Sequence, residues 1–492
     1  MKADLDACYR ALEARDARFD GEFYVAVSTT GIYCRPVCTA RTPRRERCRF
    51  FATAAEAEKA GFRACFRCRP ELAPGSSSVD ALPSLVAAAV AKIEAGFLDE
   101  RSADELAAEL GVSARHLRRA LEQQLGVSPV ELAQTRRMAM AKRLLHDTQL
   151  GITEIALASG FGSLRRFNAA FAQRFGRAPS EVRRRLSSAA AATLALRLDT
   201  RPPLHWDALL AFLAARAIPG VEEVTGGEYR RVLALGDCRG VVRVRRHERH
   251  AALWAELSPA LGARLAAVVP LLRRLFDLDA HPALIEACLA RDPLLAPLVR
   301  ARPGLRVPGA VDAFELVCRA VLGQQVTVRA ASTLAGRVVT RFGAPLTADE
   351  LGELPPGSTL RARFPTPARV AAAKPAELAA LGLPAARAAT LHHVAVAFST
   401  GSLRAYATGP GAAGAHRPEE LTRALREIPG IGEWTAQYVA MRALSDPDAF
   451  VAGDLWVRRA LALPPKAALA RAAAWQPWRA YAVMHLWGAP AT

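Results

Sequence analysis

The spacing of apolar residues shifts along the chain, and each shift marks a different kind of element. FYVAVST (23–29) is a short apolar run that predicts a strand. PGSSS (74–78) breaks the pattern and reads as a linker. Over 80–186, apolar residues recur at i, i+3 and i+4 between glycine turns, which predicts amphipathic helices in two similar halves. SSAAAATLALRLDTRPPLHW (187–206) begins as a small-residue linker and ends as a strand. RRVLAL (230–235) and GVVRVRR (240–246) alternate as strands do, so the region up to about 275 reads as mixed α and β. Beyond 280 the helical period dominates, with Pro/Gly breaks near 303–309, 354–357 and 409–414.

Composition fits several globular domains. At 492 residues the chain exceeds what one core supports, and 51% hydrophobic content excludes a disordered protein. No apolar run reaches the ~18 residues a membrane span needs. MKADLDACYR is charged and no apolar run follows it, so no secretory leader is expected and the setting is read as cytoplasmic and reducing. The net charge of +19 points to a polyanion, although an Ala/Arg-rich composition supplies part of it.

Nine cysteines in such a setting favour metal binding or catalysis over disulfides. GIYCRPVCTA (31–40) spaces Cys34 and Cys38 as C-x3-C, and GFRACFRCRPE (61–71) spaces Cys65 and Cys68 as C-x2-C. Four thiolates so arranged suit tetrahedral Zn2+; the plain alternative is four unconnected buried thiols. Cys48 is a spare between the pairs, and Cys8, Cys238, Cys288 and Cys318 read as packing thiols.

The run DGEFYVAVSTTGIYCRPVCTAR…FRACFRCRPE resembles the N-terminal domain of Ada-type DNA repair and response proteins. That resemblance implies that Cys34 takes a methyl group from a methylphosphotriester, with Cys38, Cys65 and Cys68 as the other zinc ligands. A zinc-held thiolate is the nucleophilic form at neutral pH. Methylating one of four thiolates lowers the site's negative charge, so repair would double as a binding switch.

SADELAAELGVSARHLRRALEQQLG (102–126) and GITEIALASGFGSLRRFNAAFAQRFG (151–176) each read as helix, glycine turn and second helix. They resemble the paired helix-turn-helix units of AraC-type domains, joined by a long helix at about 129–146. The resemblance implies recognition helices at roughly 113–123 and 163–173. Base-contact candidates are Arg115, His116 and Arg119 in the first, and Ser163, Arg165, Arg166 and Asn168 in the second. The plain alternative is a helical bundle with solvated arginines.

IPGIGEWTAQYVAMRALSDPDAFVAGDLWVRRAL (428–461) places a tight PGIG turn between EELTRALREI and a second helix. It resembles the helix-hairpin-helix DNA glycosylases, in which Gly430 and Gly432 would let backbone N–H groups approach a phosphate. FLAARAIPGVE, RLFDLDAHP, ARPGLRVPGAVDAFELVCRAVLGQQVTV and QPWRAYAVMHLW resemble AlkA-type 3-methyladenine glycosylase II. That likeness covers most of 190–490 and implies Asp454 as catalytic carboxylate and Trp434 and Trp487 as walls of a base pocket. Tyr438, one turn after Trp434, is a weaker pocket candidate. Trp434 stands where strand-cutting relatives carry a lysine nucleophile, which implies a monofunctional enzyme with water as nucleophile. The last cysteine is Cys318, so no C-terminal iron–sulfur cluster is expected. The family's apolar wedge falls at Gln325, leaving Gln324 or Gln325 to fill the gap in the duplex. Asp446 and Asp448, in SDPDAF, are expected to cap the next element.

The expected architecture is multidomain. A small zinc-bound α/β domain (1–74) precedes an all-α double helix-turn-helix domain (80–186). An α+β lead-in (190–278) and an all-α helix-hairpin-helix glycosylase core (279–492) follow. The expected function is alkylation repair and response on double-stranded DNA, with promoter binding and RNA polymerase as the partner an activator needs. The P-C-H-R motif of an O6-alkylguanine transferase is absent. A different reading makes the chain chiefly a methylation-sensing regulator with a weak or inactive glycosylase half.

Overall fold

The structure is a computed structural model that describes residues 5–75, 84–186, 194–352, 354–403, 406 and 418–488. The break expected at 409–414, the serines of the first linker and the linker portion of 187–206 lie outside those residues. The chain divides into two compact units, one of residues 1–202 with 247–270 and one of 203–246 with 271–492. Both are built mainly from helices, and among the described residues no helix is long and apolar enough to cross a membrane.

In the first unit, a four-stranded sheet carries the cysteine pairs. Strand Tyr24–Val27 lies between Cys48–Phe51 and Ile32–Cys34, antiparallel to both, and Ile32–Cys34 runs parallel to Arg63–Ala64. Val25 and Ala26 are fully buried, with Cys48 and Leu12 beside Val25. Thr53 and Glu56 form a capping box on helix Ala54–Lys59.

The helices that follow start where their caps dictate. Ser102 and Ser128, each with a glutamate three residues on, close capping boxes on Ala103–Glu109 and Pro129–Asp147. Ser113 and Ser163 cap Ala114–Leu125 and Leu164–Phe175, and both helices end at a left-handed glycine, Gly126 and Gly176. Leu106, Leu117 and Leu121 build the first half's core. Phe167, Phe171 and Phe175, at i, i+4 and i+8, build the second, with ring centroids 5.7 and 4.5 Å apart in sequence.

Strand Leu194–Asp199 pairs antiparallel with Ala252–Leu257, from Leu194↔Leu257 to Asp199↔Ala252. This pair opens the stretch expected as the mixed α/β lead-in, and it lies in the compact unit of residues 1–202 with 247–270. Buried arginines tie it there: Arg143, on helix 129–147, donates to the Arg197 carbonyl, and Arg201 donates to Glu22 at 2.7 Å.

The second unit joins helix Trp206–Ala215 and an antiparallel sheet of Glu222–Thr225, Glu228–Leu235 and Cys238–Arg246 to a helical body. Helix Ala313–Leu322 is tied to the sheet by a buried charge cluster: Arg231 bonds Glu222 (3.1 Å) and Glu315, and Arg319 bonds Glu315 (2.6 Å) and Glu222. Helix Ala385–Ser399 sits in the core through Leu391, Val394 and Phe398. It reaches the turn between the hairpin helices Pro418–Arg426 and Glu433–Ala443 through Thr390, whose hydroxyl donates to the Pro429 carbonyl at 3.0 Å.

Candidate functional site

The parallel pairing of Tyr33 with Ala64 sets Cys34 and Cys65 side by side, and the Cys65 N–H donates to the Tyr33 carbonyl at 3.0 Å. A turn from the Arg35 carbonyl to the Cys38 N–H (3.1 Å) brings Cys38 back. The sulfurs of Cys34, Cys38, Cys65 and Cys68 lie within 4.8 Å of one another. Tetrahedral zinc with Zn–S near 2.3 Å holds its sulfurs about 3.8 Å apart, so the cluster fits that ion. Without a cation the crowding raises the Cys34 thiol above its ordinary pKa, through hydrogen bonds to Cys38, Cys65 and Cys68 first and burial after them. A dication removes that obstacle to ionising all four. Backbone N–H groups donate to two of the sulfurs, Arg35 to Cys68 and Arg67 to Cys65, each at 3.4 Å. Among the described residues no backbone N–H donates to the Cys34 sulfur, and Cys34 is partly exposed while Cys38 and Cys65 are buried.

This domain is bolted to the long helix 129–147. Lys142, fully buried, donates to the Cys65 carbonyl at 2.5 Å and to Glu71 at 2.9 Å. Arg69 grips Asp147 through two bonds, at 2.6 and 3.0 Å. Lys59 reaches the Gly126 carbonyl at the end of helix 114–125 (2.8 Å).

Arg115, His116 and Arg119 are all exposed on helix 114–125, opposite buried Leu117 and Leu121. Arg165, Arg166 and Asn168 are exposed on helix 164–175, opposite the phenylalanines. Ser163 is half-buried, and its hydroxyl oxygen accepts the Arg166 N–H at 3.4 Å. That oxygen caps the helix, and the hydroxyl keeps its own hydrogen to donate.

In the second unit the hairpin turn runs from Ile428 to Gly432, closed by the Ile431 N–H on the Ile428 carbonyl (3.1 Å). Gly430 has φ +90°, and a Cβ there would stand 2.1 Å from the Thr390 hydroxyl oxygen. Gly432 starts helix 433–443, and a Cβ there would meet nothing within 4 Å, which is the open space a phosphate needs. Gly430→Ala should therefore cost about 1–2 kcal/mol from the left-handed backbone alone. The expected results are a lower thermal midpoint and weaker duplex binding; an unchanged midpoint and affinity would remove the turn from the DNA interface.

Asp454 caps helix Leu455–Leu461 and is held by four donors. Its Oδ1 accepts the N–H groups of Trp456 (2.9 Å) and Val457 (3.1 Å) and the indole Nε1–H of Trp487 (2.9 Å). Its Oδ2 accepts the indole Nε1–H of Trp434 (2.9 Å). With Oδ1 filled by three donors, Oδ2 is the oxygen with room to accept from a water. Each indole is backed on one face. Tyr438 lies parallel to Trp434 (5.1 Å, 8°), and Phe212 lies nearly parallel to Trp487 (6.3 Å, 16°).

The backing layer holds the residues that sequence reasoning missed. Arg442 donates to the Tyr438 hydroxyl (2.6 Å) and to the carbonyls of Pro308 (2.7 Å) and Gly309 (2.9 Å), and lies 5.0 Å over the Phe212 ring. Arg216 lies 3.8 Å over the other partner, Phe212, from the same helix end. Burial alone would raise the Tyr438 phenol, but the Arg442 and Arg216 guanidiniums outweigh it and hold it below its ordinary pKa. FLAAR spaces Phe212 and Arg216 one helical turn apart, but nothing local indicates which distant ring they meet.

Two further placements refine the expectations. Gln324 donates to the Gly430 carbonyl (2.9 Å), so its side chain belongs to the hairpin; Gln325 is exposed at φ +56°, beside exposed Val326 and Val328. Asp446 accepts the Asp448 N–H (3.0 Å), and Asp448 pairs with Arg479 (2.6 and 2.7 Å) at the start of helix Arg479–Trp487. Asp448 is thus an ion-pair partner for a distant helix, not a cap for the next element.

Family models match four stretches: the metal binding domain of Ada over 7–71, a helix-turn-helix domain over 106–185, the AlkA N-terminal domain over 195–312, and the HhH-GPD superfamily base excision DNA repair protein over 318–463. The "Probable bifunctional transcriptional activator/DNA repair enzyme AlkA" of Mycobacterium tuberculosis is 40% identical over 99% of this chain and 97% of its own length. The chain belongs to that family. It is a zinc-binding repair and response protein that acts on double-stranded DNA through helix-turn-helix and glycosylase modules. The "DNA-3-methyladenine glycosylase 2" of Escherichia coli is 41% identical over 59% of this chain and 95% of its own. The "Bifunctional transcriptional activator/DNA repair enzyme AdaA" of Bacillus subtilis is 31% identical over 36% of this chain and 82% of its own.

Proposed function

We propose that the chain hydrolyses the glycosidic bond of alkylated purines such as 3-methyladenine, and that its front half takes a methyl group from backbone phosphotriesters onto Cys34. The observation that carries the first reaction is Asp454 fixed between two indole N–H groups, each indole keeping one face for a base. Alkylation at a ring nitrogen makes the purine cationic; it stacks on electron-rich indole and leaves without much acid help. The developing sugar cation then faces a carboxylate that need not reorganise, and Oδ2 orients the water that completes the reaction. Trp434 cannot form a Schiff base, so the sugar–phosphate chain stays intact. Gln325, exposed at its loop tip, is the side chain best placed to enter the gap in the duplex.

In the front half, zinc keeps its ligands as thiolates when bound. The Cys34 sulfur attacks the methyl carbon, the carbon–oxygen bond breaks, and the phosphodiester leaves as an anion. Arg115, His116, Arg119, Arg165, Arg166 and Asn168 read the promoter, and RNA polymerase is the partner for activation, in the cytoplasm. The regulator-only reading leaves the assembled Asp454 pocket without a use. The test is incubation of the full chain with methylated DNA, followed by mass spectrometry of the protein and of released bases. A methyl on the peptide holding Cys34 together with free 3-methyladenine is expected; base release without any protein methylation, or the reverse, would retire the corresponding half.

Methylation should also tighten specific DNA binding, because the zinc site loses one negative charge near phosphate. The gain should shrink as salt rises and screening shortens. Equal affinities of methylated and unmethylated protein at low salt would dismiss the switch.

A further inference from the structure

Arg35, the residue after Cys34, is 4% exposed and bonds in several directions. Its N–H donates to the Cys68 sulfur, and its Nη1 donates to the Cys68 carbonyl at 3.2 Å. Nε and Nη2 clasp both oxygens of Asp20, Nε at 2.8 Å. Nη1 also donates to Asp199 Oδ2 at 2.9 Å. Asp199 ends strand 194–199, the opening element of the stretch that matches the AlkA N-terminal domain. Asp20 and Asp199 are as buried as Arg35, at 5% and 6% exposure. Arg197 also holds Asp199, at 2.7 and 3.1 Å.

We propose that the zinc site and the first strand of the glycosylase module are thermodynamically linked through Arg35. The link rests on the zinc binding that the family shows and on neither reaction proposed above. Arg35 is positioned by the cluster, through its own N–H on one sulfur and its guanidinium on the Cys68 carbonyl. Loss of the metal frees 34–38 and 65–68, and Arg35 loses its frame. Asp20 is then left buried without its cation, and Asp199 loses one of the guanidiniums that hold it. Buried carboxylates so exposed to the low-dielectric interior are strongly unfavourable, so this region must open to water. Linkage is reciprocal: whatever factor zinc adds to the closed state of the strand, the closed strand adds to zinc retention. The front module's metal state is thereby felt at the entry to the repair module, 164 residues along the chain from Arg35.

Hydrogen exchange on the full chain, zinc-loaded and chelated under reducing conditions, tests the forward direction. Amides of 194–199 and its partner 252–257 should exchange roughly 5- to 150-fold faster after chelation, the usual range for coupled sites. Amides of helix Ala385–Ser399 serve as the reference and should not change. The reverse direction is tested by Asp199→Asn, which should hand zinc to a colorimetric chelator faster by a similar factor, while Asp104→Asn, an exposed control, should not. Unchanged exchange at 194–199, or zinc loss from Asp199→Asn at the wild-type rate, overturns the link. If Asp199→Asn does not fold, the wild-type exchange experiment decides alone.

Discussion

Asp454→Asn should lower release of 3-methyladenine from alkylated duplex by roughly 100-fold or more, the scale on which one preorganised electrostatic contact acts. The carboxylate sits where both indole N–H groups converge, so its charge is fixed relative to the rings that would clasp the base. Asparagine is as good a helix cap as aspartate. Its carbonyl oxygen can keep the Trp456 and Val457 N–H groups, so helix 455–461 should persist. The amide nitrogen, however, is a donor and cannot accept the indole N–H that it would meet in place of Oδ2. The variant therefore loses the negative charge and loosens Trp434 together.

A kinetic split separates these two effects. Loss of charge lowers the single-turnover rate at saturating enzyme, whereas a loosened wall weakens binding of the flipped base and is offset by more protein. Duplex affinity should stay near wild type, because the hairpin turn and Gly432 are untouched. Asp446→Asn is the control: its carboxylate only closes the turn onto the Asp448 N–H. Asp448→Asn should lower the thermal midpoint by breaking the Arg479 pair, without touching the chemistry. Near-normal excision by the Asp454 variant, with loss in the Asp446 control, would move the catalytic role.

What the sequence disclosed and what it hid follow from the range of the interactions. Cys34, Cys38, Cys65 and Cys68 were legible because each pair is close in sequence and two short strands suffice to join them. Asp454 was legible because the hairpin, its glycines and the capping aspartate lie within one continuous run. Phe212 and Arg442 were not, since they meet across more than half of the second unit's sequence and only the folded body shows that they share a ring stack. Arg35, Arg201 and Lys142 were hidden for a different reason. Composition rules place such cations at the surface, and here each is buried because a carboxylate or carbonyl meets it. The charged partners of strand 194–199 are likewise distant in sequence, which periodicity cannot register. Asp448 misled in the same way, as a turn residue whose partner Arg479 is distant.

Cys34→Ala should abolish methyl uptake from phosphotriesters while leaving a weakened zinc site. The four sulfurs differ in the hydrogen bonds that they receive. An N–H donor withdraws charge from a thiolate and blunts its attack; Cys68 carries the Arg35 N–H and Cys65 the Arg67 N–H. Cys38 is a buried residue, which disfavours the approach of a phosphotriester. Cys34 has no backbone donor among the described residues, which supports it as the proposed acceptor. In the alanine variant three thiolates remain, enough to hold zinc with lower affinity and an open position. None of the three has both access and an unblunted lone pair, so the methyl should not reappear elsewhere. The measurement is a peptide map after incubation with methylated DNA, with zinc stoichiometry taken on the same sample. Base release by the same preparation should continue, because Asp454 and its indoles belong to the other unit. A methyl found on Cys68 in the wild-type map, or uptake by the alanine variant, would reassign the acceptor and with it the reading of the N–H pattern.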